Sequence, residues 1–310
     1  MDFIKNNTNQ ETTIIIPTYY PGEKIVKLLQ SISSKYQIFI VDNGNDPELK
    51  NIVQHYSNIK HYIVGDVGLG KSFNFALSNI SSAYAFITQP DVTLFEGSID
   101  TLVRTIKKYP NAAIVAPLYF EKNIYSPFDY YDLKISKLKK IVPQKKFKNL
   151  KNILPEGDIS VEAVNSTALL IDVEKILSIG GWDDNFYTYL EDIDLCLRLR
   201  QKGYEIIKSP LSKIDHIGFS SHKEENKNKM DISRNWNFCW SSIYFCKKHR
   251  TQLFFFKYLF KITLKYLFKI ILNFILNNKK KLIIYQIRFD ACVKFILGKR
   301  FAESKWKKLS

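Results

Sequence analysis

Over the first 120 residues, short β-branched runs alternate with stretches of helical length, and this alternation leaves few architectures open. The strand candidates are Thr13–Pro17, Gln37–Val41, Ile59–Val64, Ala83–Thr88 and Ala112–Pro117. Amphipathic stretches near 23–34, 47–57, 70–80 and 98–109 separate them. Strands divided by helices predict βαβ units and a parallel sheet. The runs are apolar throughout, as expected of strands covered on both faces. The expectation is an α/β fold, Rossmann-like, with a mostly parallel sheet and helices on both faces.

Residues 121–158 break the rhythm. The piece KISKLKKIVPQKKFKNLKN carries eight lysines and no acid, and reads as a basic excursion. Alternation resumes with a strand-like Ser166–Ile171 and a helix from about Leu190 to Lys202. That helix has acids in its first turn, basic residues toward its end and Gly203 as a cap. Short strands near 204–208 and 213–217 follow, then a polar helix over about 226–248.

Charge divides the chain in two. Phe245–Ser310 holds 17 Lys and Arg against 2 Asp and Glu, a net of +15 within the chain's +16. A nearly neutral body therefore carries a strongly basic C-terminal region, and each part needs its own explanation. With 45% hydrophobic residues the body can bury a core. In QLFFFKYLFKITLKYLFKIILNFILNNKKK, lysines at 257, 261, 265 and 269 form a drifting polar stripe beside a broad apolar face. Four central lysines cost about 2.5–3.5 kcal/mol each inside a bilayer, so a membrane span is disfavoured. A helix lying in the interface of an anionic membrane avoids that cost. The segment LIIYQIRFDACVKFILGKRF repeats the style, and a helical hairpin packed on the body is the alternative. Aromatics interleaved with aliphatics make a poor stacking platform, so nucleic acid is not expected as a partner. The N-terminus MDFIKNNTNQETT lacks the apolar core of a signal peptide, which predicts a cytoplasmic location. The four cysteines have no CxxC spacing and are expected as reduced thiols.

Open α/β sheets bind ligands at the carboxyl ends of their strands. Those ends here are Pro17–Gly22, Asp42-Asn43-Gly44, Gly65-Asp66-Val67-Gly68-Leu69-Gly70-Lys71 and Gln89-Pro90-Asp91. A dinucleotide-binding dehydrogenase places its glycines after the first strand, whereas here they follow the third. Each piece also fits a plain structural role. Gly68 and Gly70 suit any tight helix start, Asp42 suits an Asx turn, and Lys71 suits a solvated face. Glu191, Asp192 and Asp194 suit the N-terminus of a helix, and His216 and Trp182 suit packing.

Taken in order, TIIIPTYYPGE, FIVDNGND, GDVGLGKSFNFAL and TQPDVTL resemble the nucleotide-sugar half of GT-A inverting glycosyltransferases of family 2. The stretch AVNSTALLIDVEKILSIGGWDDNFYTYLEDIDLCLRLRQKGYEI is similar to the acceptor half of the rhamnosyltransferase-like branch. The resemblance implies a catalytic domain over 1–225 and a basic helical region over 226–310. The catalytic domain divides into a nucleotide-sugar half (1–118), the excursion (119–160) and an acceptor half (161–225). It further implies that Pro17, Thr18 and Tyr19 line the nucleotide pocket and that Asp42 bonds the base. Asp66, Gly70 and Lys71 would lie near ribose and diphosphate, with Gln89 and Asp91 at the family's D-x-D motif. Asn165, Trp182 and Glu191 would shape the sugar and acceptor pocket, with Asp192 as base and Glu191 beside it. Asp91 and His216 would hold a divalent cation, Mg2+ or Mn2+. Gln89 stands where the motif has its first Asp, and Asp66 where Asn is frequent. The implied activity moves rhamnose or a hexose from a nucleotide sugar (dTDP-rhamnose or a UDP-hexose) to a saccharide or lipid-linked saccharide. The implied place is the inner face of the cell membrane, in polysaccharide or lipopolysaccharide synthesis. The neutral Gln89 motivates one alternative, a catalytically silent sugar-binding scaffold.

Overall fold

The computed structural model describes residues 11–121, 124–125, 130–131, 155–216, 227–300 and 306. The lysine-rich piece of the 119–160 excursion lies outside these residues. Two compact units emerge: Met1–Asp184 with Asp192–His222, and Asn185–Glu191 with Lys223–Ser310.

The first unit opens with β1 (Thr12–Thr18), α1 (Lys24–Ser31), β2 (Gln37–Asp42), α2 (Pro47–Val53), β3 (Ile59–Ile63), α3 (Leu69–Leu77) and β4 (Tyr84–Thr88). It continues with β5 (Val92–Leu94), α4 (Ser98–Lys108), β6 (Ala112–Glu121), β7 (Ile124–Tyr125), β8 (Tyr130–Tyr131), β9 (Ile159–Ser160) and β10 (Ala163–Val164). Next come β11 (Ala168–Asp172), α5 (Val173–Ser178), α6 (Glu191–Gln201) and β12 (Glu205–His216). Among the described residues the main sheet runs β3-β2-β1-β4-β11-β6-β12-β5, with β7 on β6 and β9 on β12. β8 and β10 form a separate pair.

β1 is buried along its whole length and pairs in parallel with β2 and β4. Side chains alternate across a strand. Ile14, Ile16, Ile38 and Ile40 accordingly meet Leu28, Leu49, Leu102 and Ile106 from α1, α2 and α4 in one core. On the other face Phe39 packs on Phe75 of α3. The α/β architecture with both faces covered is thus present. Asp46 caps α2 by accepting the amide of Glu48, with Pro47 in the first turn.

Two features depart from the expected alternation. β11 runs antiparallel between β4 and β6, so β6 is not the neighbour of β4. An antiparallel neighbour needs no crossover helix, which is why helix spacing did not reveal it. The two short strands expected at 204–208 and 213–217 are one strand, β12, whose register on β6 shifts between Ser209 and Lys213. Pro210 lies in that interval and has no amide hydrogen for the ladder.

The second unit is helical: α7 (Lys227–His249), α8 (Gln252–Ile275) and α9 (Lys279–Ile296). Its core gathers Trp236, Trp240 and Ile243 of α7, Phe255 and Tyr266 of α8, and Ile287 and Ala291 of α9. Trp236 donates its indole N–H to Asp290 at 2.8 Å. The four cysteines are buried free thiols.

Candidate active site

The register Thr18↔Asp42 and Asp42↔Ile63 brings the carboxyl ends of β1, β2 and β3 to one edge of the sheet. The loops there are tied to one another. Asn43 donates its amide to Thr18 O at 2.9 Å, and its side chain meets the Ser72 hydroxyl of α3 at 2.9–3.0 Å. A Cβ on Gly44 would sit 2.9 Å from the Tyr20 ring, so any side chain here would have to push that ring aside. Pro17 and Thr18 are buried at this edge and Tyr19 is half-buried. Gly70 is buried in the first turn of α3, and Asp66 ahead of it and Lys71 after it stand exposed.

Asp42 is fully buried and organises its loop. Its Oδ1 accepts the amide of Gly44 at 2.8 Å, and its Oδ2 accepts that of Asp46 at 3.0 Å, with His61 Nε2 at 3.4 Å. Burial alone would raise its pKa, but His61 and the two amides outweigh burial and hold the carboxyl below its usual range. The Asx-turn role is therefore the one its contacts fill.

Asp91 and His216 meet although 125 positions separate them. β5 pairs antiparallel with the end of β12, His216 opposite Val92, and this sets Nε2 of His216 3.7 Å from the buried carboxylate of Asp91. That distance is too long for a hydrogen bond. An imidazole nitrogen and a carboxylate oxygen suit a divalent ion whose remaining positions go to diphosphate and water, so the residues fit the expected cation. No cluster of three or more His, Cys, Asp or Glu able to hold a metal occurs among the described residues.

Asp192 lies in the first turn of α6. Its Oδ2 accepts the amide of Ser166 at 3.2 Å and its Oδ1 the amide of Ile193 at 2.8 Å. Burial pushes its pKa up to about 6, against the pull of those amides. The residue after Ser166, Thr167, accepts the amide of Gln89 at 3.1 Å, so the framework holding Asp192 continues to the Gln89-Pro90-Asp91 turn. Asn165 Oδ1 accepts the Tyr119 hydroxyl at 3.0 Å and the amide of Thr167 at 3.1 Å. Upstream, Tyr189 (φ 69°) and Leu190 (φ 67°) occupy the left-handed region in succession, and they lead into the buried Glu191. Two such residues in a row are costly and recur at functional sites.

Some site residues were not visible in the sequence. Tyr119 is one: its hydroxyl also bonds Ala168, its ring lies 6.3 Å from that of His216, and the fully buried Lys208 places Nζ 4.3 Å from the ring centre. Asn74 of α3 clasps the Gly-Gly-Trp turn, accepting the Trp182 amide and donating to its carbonyl, each at 2.9 Å. Trp182 is buried against Phe73, so packing is what its ring does here. Arg198 fixes the same turn, donating to Ile179 O, Gly181 O and the buried carboxylate of Asp194 at 2.7–3.0 Å. Asp194 thus has the structural role open to it from the sequence. Arg198→Ala is expected to lower stability by about 3 kcal/mol, because it takes the guanidinium away from a buried carboxylate and two turn carbonyls. A fall in the urea midpoint measures this; an unchanged midpoint would show the clasp to be redundant.

Residues 13–163 match the family model of glycosyl transferase family 2. That match takes in 151 of the 310 residues and runs from β1 past β6. It is 25% identical over 209 residues to the rhamnosyltransferase WbbL of Escherichia coli, covering 62% of this chain and 78% of that one. It is 23% identical over 229 residues to the N-acetylglucosaminyl-diphospho-decaprenol L-rhamnosyltransferase of Mycobacterium tuberculosis, covering 66% and 75%. Among solved structures, the mannosyltransferase PcManGT of Pyrobaculum calidifontis, in complex with GDP-Man and Mn2+, superposes with a TM-score of 0.54. It is 12% identical, over 94% of this chain and 88% of that one. GalNAc-T7 with UDP, GalNAc and Mn2+ superposes at 0.53 and 16% identity, over 66% of this chain and 42% of GalNAc-T7. At such identities the likeness speaks for the fold, which is GT-A.

Proposed function

We propose that this glycosyltransferase moves rhamnose or a hexose, with inversion, from a nucleotide sugar to a saccharide or lipid-linked saccharide acceptor. The setting is bacterial surface-polysaccharide synthesis at the inner face of the cell membrane, where a lipid-linked acceptor is presented. The observation that carries this reading is a carboxyl with its pKa raised to about 6, Asp192, held on the same backbone framework as Asp91. A base poised near neutral pH suits the removal of a proton from an acceptor hydroxyl. The rhamnosyltransferases among the relatives and the hexosyltransferase Agl10 of Haloferax volcanii support the sugar class.

In the reaction, the Asp192 carboxylate takes the acceptor hydroxyl proton, and the freed oxygen attacks the anomeric carbon opposite the nucleotide. The bond from that carbon to the diphosphate oxygen breaks, and the nucleoside diphosphate leaves with the electron pair. A divalent cation, Mg2+ or Mn2+, held by Asp91 and His216 would neutralise charge on the departing diphosphate. Pro17, Thr18 and Tyr19 line the nucleotide, against the loop that Asp42 folds. Asp66, Gly70 and Lys71 face ribose and diphosphate, and Gln89 assists Asp91. Asn165, Glu191 and the turn bearing Trp182 shape the sugar and acceptor side.

The test incubates the protein and Mn2+ with dTDP-rhamnose and UDP-hexoses and a lipid-linked saccharide, and reads the product's anomeric configuration by NMR. Transfer with an inverted anomeric centre is expected. Retained configuration would overturn the single-base mechanism, and donor binding without any transfer would favour a silent sugar-binding scaffold.

A further inference from the structure

The helical unit leaves one broad surface that its own core does not use. α8 turns Phe255, Tyr266 and Asn273 inward. Phe256, Phe260, Leu264, Leu267, Ile271 and Phe274 are all exposed, with Phe256, Phe260 and Phe274 at 62%, 68% and 74%. Their spacing of four, four, three, four and three keeps them within an arc of about 80° on a helix of 3.6 residues per turn. A contiguous stripe of this size on a water-soluble surface marks an interaction site.

The charge beside the stripe indicates what it meets. Lys257, Lys261, Lys265 and Lys269 run along one flank, and α8 carries no acidic residue. Lys279, Lys280 and Lys281 are exposed in the first turn of α9, which has no acid in that turn either. Cations at the positive end of a helix are disfavoured unless an anion lies outside. A second copy of the chain would bring one lysine row against another. A nucleic acid would leave the apolar stripe in water. An anionic bilayer meets both features, taking the stripe among its acyl chains and the lysines at its headgroups. No helix among the described residues is long and apolar enough to cross a membrane.

We infer that this face of α8 is the docking surface for an anionic lipid bilayer, on which the helix lies flat with Lys279–Lys281 engaging the same headgroups. This deepens the membrane placement proposed above. It is read without donor, metal or acceptor, so its failure and that of the sugar chemistry are separable.

The experiment floats the full chain with vesicles of phosphatidylcholine alone or with about a third phosphatidylglycerol. Anionic vesicles are expected to carry the protein, weakened by salt, and neutral vesicles to carry little. Phe260→Ser/Leu264→Ser/Ile271→Ser, which leaves the buried face of α8 untouched, is expected to weaken binding at least about tenfold. Replacing the four α8 lysines with Gln is expected to erase the preference for anionic lipid. Circular dichroism and retained nucleotide binding report on folding. In Phe260→Trp, the emission of the introduced indole should shift to the blue on vesicles and be quenched by brominated acyl chains. Vesicle binding that ignores the serine variant, or an introduced indole that stays in water, overturns the inference. So does a lipid-free dimer that the serine variant dissolves, which would identify a second copy as the occupant.

Discussion

Asp192→Asn is expected to abolish sugar transfer while leaving a protein that folds at least as well as the parent. A positioned base contributes about 10^2–10^4 in rate, so kcat should fall about a thousandfold with donor binding unchanged. The stability side follows from linkage. The Asp192 carboxyl ionises near 3.8 in an unfolded chain and at about 6 in the fold, because burial opposes its charge. Between those values the folded state binds more protons than the unfolded one, so stability falls as pH rises through that window. Above it the ionised carboxylate costs the fold at most about 3 kcal/mol, less for its partial exposure. The amide variant has no such cost, so its melting temperature should exceed the parent's at pH 7.5 and converge with it below pH 4. The parent's kcat/KM should rise with an apparent pKa near 6 and then level, and the variant should show no such limb. A variant that keeps more than a tenth of the activity would remove Asp192 from the role of base.

Asp91→Ala should have the second largest effect. Its carboxylate, proposed above as a cation donor with His216, is buried with His216 Nε2 3.7 Å away. Calorimetric titration of UDP, dTDP and GDP on the parent should show one nucleotide bound more tightly with Mn2+ than without. In Asp91→Ala that enhancement should vanish and transfer should fall about a thousandfold, several kcal/mol of transition-state charge being left uncompensated. His216→Ala should weaken the metal response by a smaller factor, about tenfold to a hundredfold, because one oxygen donor remains. An Asp91→Ala protein with undiminished metal response would place the cation elsewhere.

The contrast between these carboxylates shows what a sequence can and cannot disclose. β1 to β4 and α1 to α4 were legible because their signals are local: β-branched runs and amphipathic periods. Asp91 and His216 could be named from a motif, but their meeting depends on β5, three residues long and paired with a strand over a hundred positions away. No local period announces such a strand. Asp192 stood out only as one of three acids opening a helix, where the macrodipole is reason enough for them. Its distinction from Asp194 lies in what surrounds each: backbone amides around the first and the Arg198 guanidinium on the second. Asn74 was hidden for the same reason, since a polar residue in an amphipathic helix reads as solvent-facing until its turn partner is known.

The membership of the two compact units bears on modularity. Asn185–Glu191, which delivers the chain to Asp192, has its partners far downstream. Asn185 is held by Arg300, Phe186 packs on Tyr244, Thr188 O accepts the Ser241 hydroxyl, and Tyr189 lies against Phe238. The C-terminal helices therefore cannot be treated as an appendage to be shed or exchanged. A chain ending at residue 222 would keep the strands of the main sheet and lose the partners that hold Asn185–Glu191, the segment that immediately precedes Asp192.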